Sequence, residues 1–115
     1  MTKESTAHQN FKDLVISLGE GDTILSLKEL APVRLIKNEF YASVVELYQK
    51  GASTEELRSL LGRGRAKKGI YEGDLIEGEL EIGQISALLD DIPTVETLMT
   101  TFLKEFQLAT QKKNF

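Results

Sequence analysis

The sequence predicts a mostly helical chain with one small β-hairpin. Apolar residues recur at helical spacing through most of its 115 residues. Two short stretches instead favour strands: 23–27 alternates as strands do, and 33–37 follows Pro32. The length allows one domain at most, or part of a larger one.

Composition argues against several classes of protein. The net charge of −4 disfavours nucleic acid or an anionic membrane as the main partner. The absence of cysteine excludes disulfides and thiolate metal sites, and it matches a reducing compartment. The apolar runs are too short for a transmembrane span, and the first residues lack the order of a signal peptide. We therefore expect a cytoplasmic protein that binds neither nucleic acid nor membrane.

The first 37 residues predict a helix followed by the hairpin. Thr6 and Gln9 have the spacing of a capping box, and Gly19 is expected to end the helix. His8 is expected to point to solvent, because no second ligand or partner acid lies nearby in the sequence. The helical stripe consists of Phe11, Leu14, Val15 and Leu18.

Three further helical stretches have clear signals. Asn38 is a good N-cap for a helix over 39–50, which Gly51 ends. Ser53 and Glu56 form a second capping box ahead of a short helix. Residues 84–89 also favour a helix, and Pro93 interrupts the chain before the longest one.

The longest predicted helix covers 94–110 and has one apolar face. This face is typical of core packing. It consists of Val95, Leu98, Met99, Phe102, Leu103 and Phe106. The chain as a whole has more apolar helix surface than its few strand residues can cover, which predicts packing against something outside it.

The segment 62–84 holds six of the nine glycines and separates its charges. Four cations come first and five carboxylates follow. The spacing fits neither a P-loop, nor a dinucleotide fingerprint, nor an EF-hand. Two interpretations of the basic part remain, a solvated turn of helix and an anion or nucleic-acid contact. The four cations are Arg63, Arg65, Lys67 and Lys68.

The sequence of this segment resembles that of a known protein family. GRAKKGIYEGDLIEGELEIGQISALLDDIPTVETL has Gly73-Asp74, then Gly78, then Gly83-Gln84 opening a helix. The resemblance continues upstream through PVRLIKN and TKES. It is a resemblance to the C-terminal portion of the nitronate monooxygenase and type II enoyl-acyl carrier protein reductase family, which are flavin mononucleotide (FMN) enzymes built on a (β/α)8 barrel. It covers essentially the whole chain and does not separate the two activities.

The resemblance implies an α/β family fold of which this chain is a single partial domain. A complete barrel needs about 250 residues. By resemblance, 1–20 is the helix after the last barrel strand and 21–61 is a hairpin and helical excursion. Residues 62–92 return to the flavin site, and 93–115 form a closing helix. His8 does not match the family's active-site histidine, so no catalytic residue is assigned.

The resemblance also implies that part of the returning segment, residues 62–92, lies near the flavin or the substrate. Gly83 permits a close backbone approach, and amides at the start of the Gln84 helix suit a polar or anionic ligand group. Glu81 departs from the small or apolar residue that some relatives carry. The alternative is that the segment is only a structural crossover. The full set is Leu80, Glu81, Ile82, Gly83 and Gln84.

Three functions follow as expectations. The first is the C-terminal segment of an FMN-dependent nitronate monooxygenase-like oxidoreductase, inactive alone, with a small-molecule substrate in the complete enzyme. The second is the same segment of an NAD(P)H-dependent enoyl-acyl carrier protein reductase. The third is a free-standing helical interaction domain. The expected partners are the barrel portion or a second copy, bound through exposed apolar faces.

Overall fold

The computed structural model describes residues 1–112, and these are mostly helical with one two-stranded hairpin. The chain divides into two compact units, residues 6–90 and residues 1–5 with 91 onward. In chain order the elements are α1 Gln9–Ser17, β1 Thr23–Ser26, β2 Val33–Ile36, α2 Glu39–Gln49, α3 Thr54–Leu61, α4 Arg65–Ile70, a 3-10 turn Gln84–Leu88 and α5 Val95–Lys112.

The predicted hairpin is confirmed, and a third segment pairs with it. β1 and β2 are antiparallel, with Thr23 opposite Ile36. The amide of Ile36 then donates to the carbonyl of Leu80 at 2.9 Å, and the amide of Ile82 donates to the carbonyl of Arg34 at 3.1 Å. Residues 80–82 therefore lie along β2 as a short third partner, which the sequence analysis missed.

The main apolar cluster lies between the hairpin and helices α2 and α3. Leu27 directly follows β1 and has a left-handed backbone, at a φ of 54°. This conformation strains a branched side chain, and the almost complete burial of Leu27 holds it there. The buried members of the cluster are Leu27, Leu35, Phe40, Val44 and Leu57.

The predicted caps of α2 and α3 are confirmed, whereas the cap of α1 is wrong. The side chain of Asn38 accepts from the amide of Tyr41 at 3.0 Å, and Ser53 with Glu56 forms the full capping box. Helix α1 begins instead after His8, whose Nδ1 accepts from the amide of Asn10 at 3.0 Å. His8 is therefore a structural cap and not a solvent-directed side chain.

The second unit is dominated by α5. The carboxylate of Glu4 accepts the amide of Val95 at 3.0 Å and caps the helix, and the amide of Lys3 donates to the carbonyl of Pro93 at 2.9 Å. No residue of α5 is buried among the described residues. The stripe predicted as core is exposed, with Phe102 64% accessible. Within that range no helix has both the length and the apolarity to cross a membrane.

Candidate functional site

Gly69 in α4 and Gly78 in the following loop allow their two backbone segments to approach closely. A Cβ placed on Gly78 would lie 2.3 Å from Cα of Gly69 and 2.5 Å from the carbonyl oxygen of Asp74. Any side chain at Gly78 would therefore push α4 and the following loop apart. This close approach, and not a left-handed angle, is why glycine stands at this position.

The loop between α4 and the third partner of β2 is held by two polar side chains. Asp74 Oδ1 accepts the amides of Ile76 and Glu77, at 3.1 and 2.9 Å. The Glu77 amide contributes most, and with the Ile76 amide and Lys68 it lowers the pKa of the Asp74 carboxyl. Asn38 Nδ2 donates to the carbonyl oxygens of Leu75 and Gly78, both at 2.9 Å.

The basic residues of α4 are mostly engaged within the chain. The Arg65 guanidinium lies 4.6 Å above the ring of Phe40 and donates to the carbonyl of Glu77 at 2.8 Å. It also donates to the carbonyls of Leu60 and Leu61. Lys68 lies 3.7 Å from a carboxylate oxygen of Asp74. These contacts favour the structural interpretation of the basic stretch over an anion-binding one.

The five residues that the resemblance places near flavin split into two groups. Leu80 is fully buried and anchors the segment, with Ile82 partly buried beyond it. Glu81, Gly83 and Gln84 are exposed. A Cβ on Gly83 would meet open space, so glycine is not required there by any contact within the described chain.

Gly83 and Gln84 lead into an open groove on the unit of residues 6–90. The groove has a volume of about 580 Å³. Its exposed apolar residues, Ile85 and Leu88, are 66% and 74% accessible. The sequence analysis missed them, although their spacing of three is that of residues on one side of a 3-10 turn. The groove is lined by Glu20, Gln84, Ile85, Ala87 and Leu88.

The helix predicted to open at Gln84 is a single 3-10 turn. It spans five residues, and its backbone bonds run from the amides of Ser86 and Leu89 to the carbonyls of Gly83 and Ser86. So short an element aligns few peptide dipoles, which weakens the attraction expected for an anionic group, and the contact of its amides with a polar or anionic group stays a prediction. The Ser86 hydroxyl is buried, and no hydrogen bond to it is found within residues 1–112.

The groove beside the 3-10 turn suits the edge of a flat, largely apolar ring that has polar atoms on its rim. Ile85 and Leu88 offer apolar surface, the Gln84 side chain can donate and accept, and Gly83 leaves space beside its backbone. These features fit part of a flavin. Within residues 1–112, no group of three or more histidine, aspartate or glutamate side chains is placed to hold a metal ion.

Beside the predicted residues lies a buried acid, Glu79. The residue is 6% accessible. Burial, followed by the hydrogen bond and negative charge of Glu81, raises the pKa of Glu79 to about 8, while Arg65 acts in the opposite direction. The sequence analysis treated this residue only as part of an acidic run.

Comparison with known proteins finds solved structures that are similar to this chain. No model of a known protein family and no curated protein matches it. FabK from Thermotoga maritima is similar in structure, with a TM-score of 0.78 and 26% identity over 96% of this chain and 35% of that one. A point mutant of that FabK gives 0.74 and 25%, over 96% and 32%. The chain thus spans about a third of FabK. The likeness shows that this chain shares the fold of that third of FabK.

Proposed function

We propose that this chain serves as the flavin-covering C-terminal portion of an FMN-dependent enoyl-acyl carrier protein reductase. The observation that carries the proposal is the structural likeness to FabK, a reductase of this type, over 96% of the chain. FMN, when bound in the complete enzyme, supplies the hydride chemistry. The residues of this chain position the ring and exclude water from one side of it.

The residues that would carry out this role line the groove beside the 3-10 turn. Gly83 and Gln84 would lie against the polar rim of the flavin or substrate, and Ile85 and Leu88 against apolar surface. Leu80, fully buried, fixes the segment from the other side, because its carbonyl is bonded to β2. The unit of residues 6–90 thus offers a held backbone and an open apolar groove.

Nitronate oxidation was the first activity that the sequence resemblance implied, and it is the competing proposal. The two solved structures named above are both of FabK, which favours the reductase. A chimera decides between them: residues 1–115 replace the corresponding third of Thermotoga maritima FabK. We expect NADH- or NADPH-dependent reduction of an enoyl thioester. Nitronate-dependent oxygen consumption without enoyl reduction would instead favour nitronate oxidation as the activity.

The chain alone is expected to be catalytically inert. Its described residues contain only a hairpin and a short third partner as sheet, without a barrel. After incubation with FMN and desalting, the expected absorbance spectrum has no flavin bands. Retained flavin together with turnover of either substrate would contradict this expectation.

A free-standing interaction domain is the second candidate, and the exposed stripe of α5 favours it. Under the leading proposal this stripe is covered by the barrel portion of the enzyme. Under the alternative it binds a second copy or another protein. Sedimentation combined with a thermal melt separates them, because a monomer with a cooperative melt favours the independent domain, whereas aggregation favours the missing barrel.

A further inference from the structure

One edge of the small sheet is unpaired. β2 is the middle strand, because β1 pairs with it on one side and residues 80–82 bond to it on the other. Peptide groups alternate in direction along a strand, and the carbonyl of Asp22 faces β2, where it accepts the amide of Lys37 at 3.3 Å. The peptide groups of Thr23 and Leu25 therefore face away from β2. No further strand of the described chain lies along this edge, and such an edge is a template for one.

Helix α2 has more apolar surface than the sheet beneath it covers. One side of the helix packs into the main cluster. The neighbouring side carries Tyr41, Val45 and Tyr48, and Tyr48 is 38% accessible. These three residues and residues 25–29, at the end of β1, line a cavity of about 280 Å³. This side of α2 therefore extends past β1, and a strand added at the free edge would lie beneath it.

A second β1 strand fits this edge in antiparallel orientation. With Ile24 opposite Ile24 of the second copy, Leu25 of each copy lies opposite Thr23 of the other. Their outward peptide groups then exchange hydrogen bonds across the pair. The Thr23 carbonyl also accepts the Arg34 side chain at 3.3 Å, and a carbonyl oxygen has a second lone pair for the added strand.

The same register sets the two α2 helices on one face of a joined sheet. Ile24 pairs with Leu35 of the main cluster, so it lies on the face that α2 covers. Directly opposed residues share a face, and Ile24 of the second copy therefore lies on that side too. Two strand spacings of about 4.8 Å equal the 8–10 Å that separate packed helices. The exposed sides of the two α2 helices would thus meet.

The charges at the two ends of β1 are opposite in sign. Glu20 and Asp22 precede the strand, Lys28 follows it, and all three are exposed. The other acid after the strand, Glu29, accepts the hydroxyl of Tyr48 at 2.6 Å. Antiparallel pairing brings Lys28 of each copy to the acids of the other, and the two-fold symmetry makes this contact twice. This self-complementarity favours a second copy over an unrelated extended peptide.

We propose that two copies of this chain associate through β1. The two strands pair antiparallel across a two-fold axis and join the two small sheets into one. The sides of α2 that carry Tyr41, Val45 and Tyr48 pack against each other on one face of it. The contact involves only the unit of residues 6–90 and does not depend on the proposed function.

The first test measures the mass of the 115-residue chain against concentration by sedimentation. The parent should form a dimer, and Leu25→Pro should stay monomeric where the parent is half dimeric. Proline fits an edge strand where the N–H faces solvent, and it removes the donor that the second copy needs. Leu25→Thr keeps the donor and should dimerise. A Leu25→Pro variant that dimerises like the parent overturns the proposal, as does a parent that is monomeric at about 1 mM.

A charge reversal separates this edge from the exposed face of α5, and it serves if Leu25→Pro does not fold. Lys28→Glu sets like charges together at both ends of the strand pair and should raise the dimer dissociation constant about tenfold at low salt. Lys104→Glu on α5 makes the same change in net charge and should leave the constant unchanged. Equal effects of the two variants, or no effect of Lys28→Glu, overturn the proposal.

A single cysteine tests the register, because the chain has no cysteine of its own. In the proposed pair the two Ile24 residues form a non-hydrogen-bonded pair with Cα atoms about 4.5 Å apart, which a disulfide can span. Under mild oxidation Ile24→Cys should form a linked dimer much faster than Ser59→Cys on exposed α3. Equal rates would overturn the pairing. None of these measurements uses flavin, so their failure is separate from failure of the proposed function.

Discussion

Residues 38–61 and residues 62–84 are built in opposite ways. In the first region, each helix carries its own starting signal, Asn38 for α2 and Ser53 for α3, and both operate in the structure as local caps. In the second region, the shape comes from contacts across the sequence, such as Gly78 against Gly69 and Leu80 against Ile36. Changes in the second region should therefore be more costly, except where the segment opens to the groove.

The largest effect is expected at Leu80. Leu80→Ala removes a fully buried side chain and should lower the free energy of unfolding by about 2–5 kcal/mol. Urea unfolding gives the difference directly. Leu88→Ala is the matched control, because Leu88 is 74% accessible, and it should change stability little. Similar losses in the two variants would mean that residues 79–82 are not anchored through Leu80.

Gly78→Val should cost about 1–3 kcal/mol, and sometimes more, because its Cβ would lie 2.3 Å from Cα of Gly69. Gly62→Val shows the other source of cost, because Gly62 has a φ of 61° and no atom within 4 Å of its Cβ, so only backbone strain is expected there. If Gly78→Val leaves stability unchanged, the backbone contact at Gly69 is not the reason for glycine at position 78.

The difference between the regions also explains how much could be predicted. Caps and helical stripes are local, so the hairpin, α2 and α3 were predicted closely. The family resemblance covered the enoyl-acyl carrier protein reductases but put nitronate monooxygenase first, and the likeness to FabK does not support that order. The pairing of residues 80–82 with β2 joins positions more than 40 apart, and no local pattern encodes it. His8 was misassigned for the same reason, because its ring lies against Gly73, far along the chain. For the groove residues Ile85 and Leu88, the only signal in the sequence is their spacing of three residues.

A smaller effect is expected at the cap of α3. Ser53→Ala removes the hydroxyl that accepts the Glu56 amide at 3.2 Å, and should cost about 1 kcal/mol. Ser59→Ala is a suitable control on the same helix, because Ser59 is exposed and remote from the cap. A loss in Ser53→Ala as large as that in Leu80→Ala would remove the contrast between a local cap and a long-range anchor.

The smallest change in stability is expected at Gly83, where the functional change should be large. Gly83 has a φ of −74°, which any residue adopts, and a Cβ there meets open space. Gly83→Val should therefore leave the melting temperature of the chain nearly unchanged. In the FabK chimera the added side chain would occupy the space beside the backbone that the proposal gives to flavin or substrate.

We accordingly expect Gly83→Val to lower the flavin content of the desalted chimera far more than it lowers the melting temperature of the flavin-free protein. Gly78→Val should show the reverse, with melting affected first, because its contact lies inside the chain. Flavin absorbance and a thermal melt on each variant suffice. If the Gly83→Val chimera retains as much flavin as its parent, then residues 80–84 are a crossover that supports the fold, and the flavin contacts lie elsewhere.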